Sequence, residues 1–219
     1  MRFMHLFIAL TVTTLLTGCL NFHSVKKGEL YRSAQLNDKQ LDRAIRKLGI
    51  KTVINLRGKS DRNWYLDEKN VAERHGVKLV SIQMSAKRLP TRADLIKLLD
   101  TFRDAERPIL IHCKGGADRT GEAAAIFAME YMGQSKKKAL HQLSPKYFHF
   151  PKFKPAKRYF IKNIWQGAEW AYQNYDPCKS DYKYFNKAIF CDENGNELPR
   201  PQSDFVESSV EEPEEAISE

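Results

Sequence analysis

Residues 108–132 read PILIHCKGGADRTGEAAAIFAMEYM, and this stretch constrains the chain more than any other. A continuous apolar run is a strand buried on both faces, and it passes straight into a helix through a loop holding a cysteine, glycines, an acid and an arginine. Gly115 and Gly116 let the backbone curl so that successive N–H groups point into one hollow. The helix that begins near Arg119 adds its positive N-terminal end at the same point. Such a hollow suits a tetrahedral dianion.

The rest of the chain supplies a matching frame. TVINL (52–56), VKLVSI (77–82) and PILIH (108–112) are short apolar runs read as strands. They alternate with helical patterns that start at Asp38, span 63–75 and follow Thr91, where Asp94 stands three residues on as the acid of a capping box. A further helix is expected over 155–175, its aromatics in the core. The implied fold is α/β, a central, largely parallel sheet with helices on both faces, and ligands of such sheets lie beyond the carboxyl ends of the strands. At 219 residues, 42% hydrophobic and 29% charged, the chain has room for one such domain and its tails.

The loop residues have complementary chemistry. Arg119 offers a planar fork of donors matched to two phosphate oxygens and stays protonated. Cys113, at the base of the cradle, faces amides, helix dipole and Arg119, all of which favour its thiolate. A thiolate against a bound phosphate is a nucleophile.

HCKGGADRTG (112–121) resembles the His-Cys-x5-Arg-Thr-Gly phosphate-binding loop of the cysteine-dependent protein tyrosine and dual-specificity phosphatases. Leu30-Tyr31-Arg32-Ser33 and Val53-Ile54-Asn55-Leu56-Arg57 are similar to the opening of small bacterial and fungal members. The resemblance covers roughly residues 28–175 and implies a dual-specificity-phosphatase-like domain acting without metal or other cofactor. It implies attack by Cys113, and equatorial oxygens held by Arg119 and the loop Lys114, Gly115, Gly116, Ala117, Asp118 and Arg119. Thr120 would ease departure of the sulfur, and His112 would orient the loop. The family's usual upstream aspartate has no counterpart in SIQMSAKRLPT (81–91). Asp94 is occupied as a cap, so Asp118 is the candidate proton donor, with bracing of the loop as its alternative role. Lys114, together with Arg57, Lys87 and Arg88 at strand ends, is a candidate substrate-binding set for additional phosphates. Three functions remain open: a phosphotyrosine or dual-specificity phosphatase, an inositol polyphosphate or phosphoinositide phosphatase, and a binding protein for phosphorylated ligands without turnover.

The termini bear on location. Residues 1–18 carry an early arginine and an apolar segment, and read as a cleaved export signal. Leu16-Thr17-Gly18-Cys19 resembles the bacterial lipobox, which makes Cys19 the lipidation site, residues 19–27 a lipid-anchored linker and the envelope membrane a partner. Leu20, in place of an aspartate, favours the outer membrane. In an oxidising compartment Cys178 and Cys191 either pair, closing a loop that contributes ~3 kcal/mol, or remain two thiols in the extension 176–203. No Cys/His spacing suits zinc. Residues 204–219 form an acidic tail, expected to be disordered, with seven acids and no base. The remaining 203 residues carry +16 against +9 for the whole chain. A basic body implies anionic ligands, and export together with the lack of a nucleic-acid motif argues against nucleic acid. Oligomeric state is not encoded in any motif.

Overall fold

The apolar run 109–112 occupies the middle of the sheet. In a computed structural model that describes residues 21–199, five strands are present: β1 (His23–Lys26), β2 (Leu30–Ser33), β3 (Thr52–Asn55), β4 (Lys78–Ser81) and β5 (Ile109–His112). Their spatial order is β1-β2-β5-β3-β4. β5 pairs in parallel with β2 and β3, β4 pairs in parallel with β3, and β1 alone runs antiparallel, along β2. Four parallel strands require crossovers, and helices supply them.

Side chains alternate across the strands, so each strand feeds two cores. Tyr31, Val53 and Leu110 pack with Leu41, Ala44 and Ile45 of helix α1 (Asp38–Leu48) and with Val71 and Ala72 of α2 (Asn63–Arg74). Leu30, Ile54, Ile109 and Ile111 face the larger core on the opposite side. There they meet Leu95, Leu98, Leu99 and Phe102 of α3 (Arg92–Asp104) and Ala124, Phe127 and Ala128 of α4 (Asp118–Met132). Each helix end has a local cause. Asn37, one residue before the expected start, caps α1 in a capping box with Gln40, and Gly49 ends it at φ 65°. The Thr91 side chain accepts from the Asp94 amide at the start of α3.

Three expectations need correction. The helix over 155–175 is interrupted: Ala156–Tyr159 is α-helical, Phe160–Ile164 forms a π turn, Trp165 is extended, and the helix resumes at Ala168–Asn174 after Gly167 at φ 120°. Tertiary partners take the backbone groups this break releases, since Lys136 Nζ donates to Trp165 O and the Ala168 amide to Glu130 Oε2. Residues 21–27 are no linker, because β1 is an integral edge strand, and so the domain starts upstream of residue 28. The extension after 175 is built into the domain: Tyr182, Tyr184 and Phe185 pack on the larger core, and Glu197 Oε2 and Oε1 accept from the Arg92 and Ala93 amides at the start of α3. Cys178 and Cys191 are disulfide-bonded. The export signal 1–18, Cys19 and the acidic tail 204–219 lie outside the described residues.

Candidate active site

Cys113 directly follows the central strand, at the carboxyl edge of the sheet where the loops after β2, β3 and β4 also converge. The turn depends on Gly116. Its φ is +67°, and a Cβ there would stand 2.6 Å from Ala34 N and 2.7 Å from Ser33 O, so the end of β2 leaves no room for a side chain. Gly121 lets α4 approach residues 142–143 in the same way: its Cβ would be 2.8 Å from Gln142 O. Arg32, fully buried on β2, donates to Gly116 O at 2.6 Å and to Gln142 O at 2.9 Å, and its guanidinium lies over the Tyr147 ring at 3.9 Å. Burial pushes its pKa down to about 10, so at neutral pH it remains a cation holding the loop from behind. The side chain of Asn21 closes the circuit, donating at 3.0 Å to both Gly115 O and Tyr147 O.

The nucleophile position is buried and electropositive. Burial pushes the Cys113 thiol up. Arg119, the Thr120 side chain and amide, and the Gly116 amide outweigh that effect and hold its pKa below the ordinary thiol value. Thr120 is completely buried, with no other partner for its hydroxyl among the described residues. Arg119 reaches back across the sheet edge, with Nη1 donating to Leu56 O at 3.4 Å and Met84 O at 3.3 Å, beyond the ends of β3 and β4. Among the described residues its buried Nε–H has no partner.

His112, expected to orient the loop, faces a residue the sequence did not flag. Its Nε2 stands 2.7 Å from Glu68 Oε1, both side chains being 2% exposed. Glu68 also accepts from Asn55 Nδ2 at 2.8 Å and Gln35 Nε2 at 3.2 Å, while Gln35 Oε1 accepts from Arg57 at 2.9 Å. Burial disfavours imidazolium at His112, but the facing Glu68 carboxylate overrides it and raises the pKa. The pair pins the end of β5 to α2. Glu68 was legible only as one polar position in a helix; no spacing marks it.

Asp118 lies on the other flank. Its Oδ1 accepts from His149 Nδ1 at 2.8 Å and its Oδ2 from Lys154 Nζ at 3.0 Å. Burial works against the carboxylate, yet these two partners hold its pKa below the usual range. A carboxylate that accepts from two donors has the geometry of a brace, the alternative role for Asp118. One turn further along α4, Glu122 forms a fully buried ion pair with Lys157 at 2.8 Å, and Lys157 also donates to Arg88 O at 2.7 Å. That pair ties the loop after Met84 to the helix that carries Arg119.

The proposed substrate-binding cations divide. Lys114 is exposed at the rim of the catalytic loop. Arg57 stacks over Trp64 at 3.3 Å beside Gln35. Lys87 and Arg88 line a cavity of about 680 Å³ with residues 181–187, on the loop that follows Met84. The sheet edge therefore gathers Cys113, Arg119, Thr120, Lys114 and Arg57, with Lys87 and Arg88 to one side. Among the described residues no three His, Cys, Asp or Glu side chains assemble as a metal site.

Comparison with known proteins gives consistent relatives. A family model described as "DSP-PTPase phosphatase fused to NAD+ Kinase" matches residues 21–161. Dual specificity protein phosphatase TpbA of Pseudomonas aeruginosa is 34% identical over 116 residues, which are 52% of this chain and 49% of that protein. The match thus spans about half the length of that relative. Among solved structures, P. aeruginosa TpbA superposes with a TM-score of 0.53 and 27% identity over 65% of this chain and 83% of that one. The core catalytic domain of the PP-IP phosphatase SIW14 from S. cerevisiae, in complex with citrate, gives 0.55 and 25% over 65% and 84%.

Proposed function

This chain belongs to the DSP-PTPase phosphatase family matched over residues 21–161, and from that premise we propose that it hydrolyses phosphomonoesters through a phosphocysteine, anchored to a membrane of the bacterial envelope. The observation that carries the reading is the Cys113 thiol, held below its ordinary pKa beneath Arg119 at the carboxyl end of the central strand. Phosphate oxygens meet the loop amides and the Arg119 fork while the Cys113 thiolate attacks phosphorus in line, and the ester oxygen leaves with the P–O electron pair and takes its proton from solvent water. Water then breaks the S–P bond, and the thiolate is regenerated with Thr120 supporting it. Asp118 is assigned to bracing, since its carboxylate already serves His149 and Lys154. Anchoring is supported by the Leu16-Thr17-Gly18-Cys19 pattern, with Cys19 as the acylated residue.

Phosphotyrosine and mixed phosphoprotein substrates are the first class, by likeness to TpbA. Polyphosphorylated inositols are the second, favoured by Lys114 at the loop rim, Arg57 at its edge and the likeness to a PP-IP phosphatase. Phosphate release by the full chain from an aryl phosphate, a phosphotyrosine peptide and inositol hexakisphosphate tests both. Activity lost in Cys113→Ser supports the reaction. A preference for inositol hexakisphosphate that collapses with added salt selects the second class. Binding of all three substrates with release of phosphate from none contradicts turnover.

A further inference from the structure

Three of the six exposed large apolar side chains among the described residues fall within one short segment: Phe148 at 57%, Phe150 at 47% and Phe153 at 77% exposure. The same segment carries Lys146, Lys152 and Lys154, and reads KYFHFPKFK over 146–154. It is no slack loop. Phe148 sits at φ 60°, a conformation a bulky side chain adopts only under constraint. The amides of Phe148 and His149 donate to Pro145 O and Ser144 O, and those of Phe153 and Lys154 to Phe150 O. His149, between two exposed phenylalanines, is fully buried and bonded to Asp118. The segment is thus rigidly mounted on the catalytic loop, with its aromatic rings directed outward.

We propose that residues 146–154 form a docking surface for an anionic bilayer, placing the catalytic hollow against the headgroup layer. Aromatic rings partition into the interfacial region while Lys146 and Lys152 beside them pair with anionic headgroups, Lys154 being held by Asp118, and this is the combination that interfacial segments use. The point where the chain enters the described domain lies at the same edge, because Asn21 bonds to Tyr147 O and Gly115 O together. Cys19, the proposed acylation site, precedes Asn21 by two positions in the sequence. The surface rests on the anchored reading only for that proximity; the phenylalanines and lysines stand independently of it. Esters displayed on the membrane surface would then reach Cys113 ahead of freely diffusing ones.

Amide exchange of the full chain, on vesicles of phosphatidylcholine alone and on vesicles with phosphatidylglycerol added, tests the proposal. Amides of 146–154 are expected to slow roughly tenfold or more on the anionic vesicles only. A Phe148→Ser/Phe150→Ser/Phe153→Ser variant should lose that slowing while β5 and α4 stay protected, which shows that it is folded. Equal exchange on both vesicles, or failure to co-float with the anionic ones, overturns the proposal. So does slowing that appears without vesicles as concentration rises, the sign of a second copy as occupant. Intact mass reports acylation of Cys19, and aryl phosphate release reports the phosphatase, so failure of either reading is distinguished from failure of the surface.

Discussion

Two buried carboxylate–histidine pairs flank Cys113, and they differ in what else holds the carboxylate. Glu68–His112, ahead of Cys113, is sealed between α2 and β5, with further donors from Asn55 and Gln35. Asp118–His149, behind it, shares its carboxylate with a Lys154 that is 42% exposed. A sealed pair with its remaining lone pairs satisfied fixes geometry, and losing one partner strands a charge in low dielectric. The Asp118–His149 contact is itself buried, and only its Lys154 arm is open to solvent and screened. The loop is thus anchored on both sides by buried pairs, and only the Lys154 contact on the side facing the aromatic segment is open to solvent.

The sharpest way to break this comparison is Glu68→Ala, expected to destabilise the fold by about 3–5 kcal/mol in denaturant titration, as for loss of one partner of a buried pair. If unfolding is unaffected, the pair is not the anchor. Its pH signature has a definite sign. The His112 pKa is raised in the fold, so its contribution is full below the unfolded value of about 6.5 and is lost as pH rises through the folded value. Reduction of Cys178–Cys191 comes next, at ~3 kcal/mol for a loop of this length. The extension it closes also holds the loop after Met84, since Leu89 N donates to Tyr184 O, and Tyr175, just before the extension, donates from Oη to Pro90 O. Slower phosphate release after mild reduction of the disulfide would extend the anchoring to that loop.

Asp118→Ala should cost least, about 2 kcal/mol, because it leaves the buried His149 donor unpaired while the Lys154 contact is screened by solvent. Its stabilising effect is present above the unfolded carboxyl value of about 4 and fades as pH falls through the lower folded one. As a brace, its removal should slow good and poor leaving groups by a similar factor. A selective loss on alkyl phosphates would instead restore Asp118 as proton donor and overturn the contrast between the two pairs.

What the sequence made legible was local. The three apolar runs, the caps at Thr91 and Gly49 and the cysteine-to-arginine loop follow from periodicity and residue chemistry within a few positions. Pairing of Cys178 with Cys191 was one of two outcomes the sequence left open. The strands His23–Lys26 and Leu30–Ser33 are four residues each and carry charges, so their place in the sheet is decided by partners far along the chain. Arg32 is the extreme case: a buried arginine whose acceptors lie more than eighty residues away. Glu68 and His149 are ordinary by type and spacing, and only folding brings them to the loop. The interruption at Trp165 is likewise tertiary, since Lys136 and Glu130 supply what the broken helix lacks.

The most direct test is to quench the full chain within its first turnover on an aryl phosphate and locate the phosphoryl group by mass. A phosphoryl group on Cys113, absent from Cys113→Ser and lingering in Thr120→Ala, is the result this account predicts. Phosphate released with no adduct at Cys113, or undiminished release by Cys113→Ser, would contradict it.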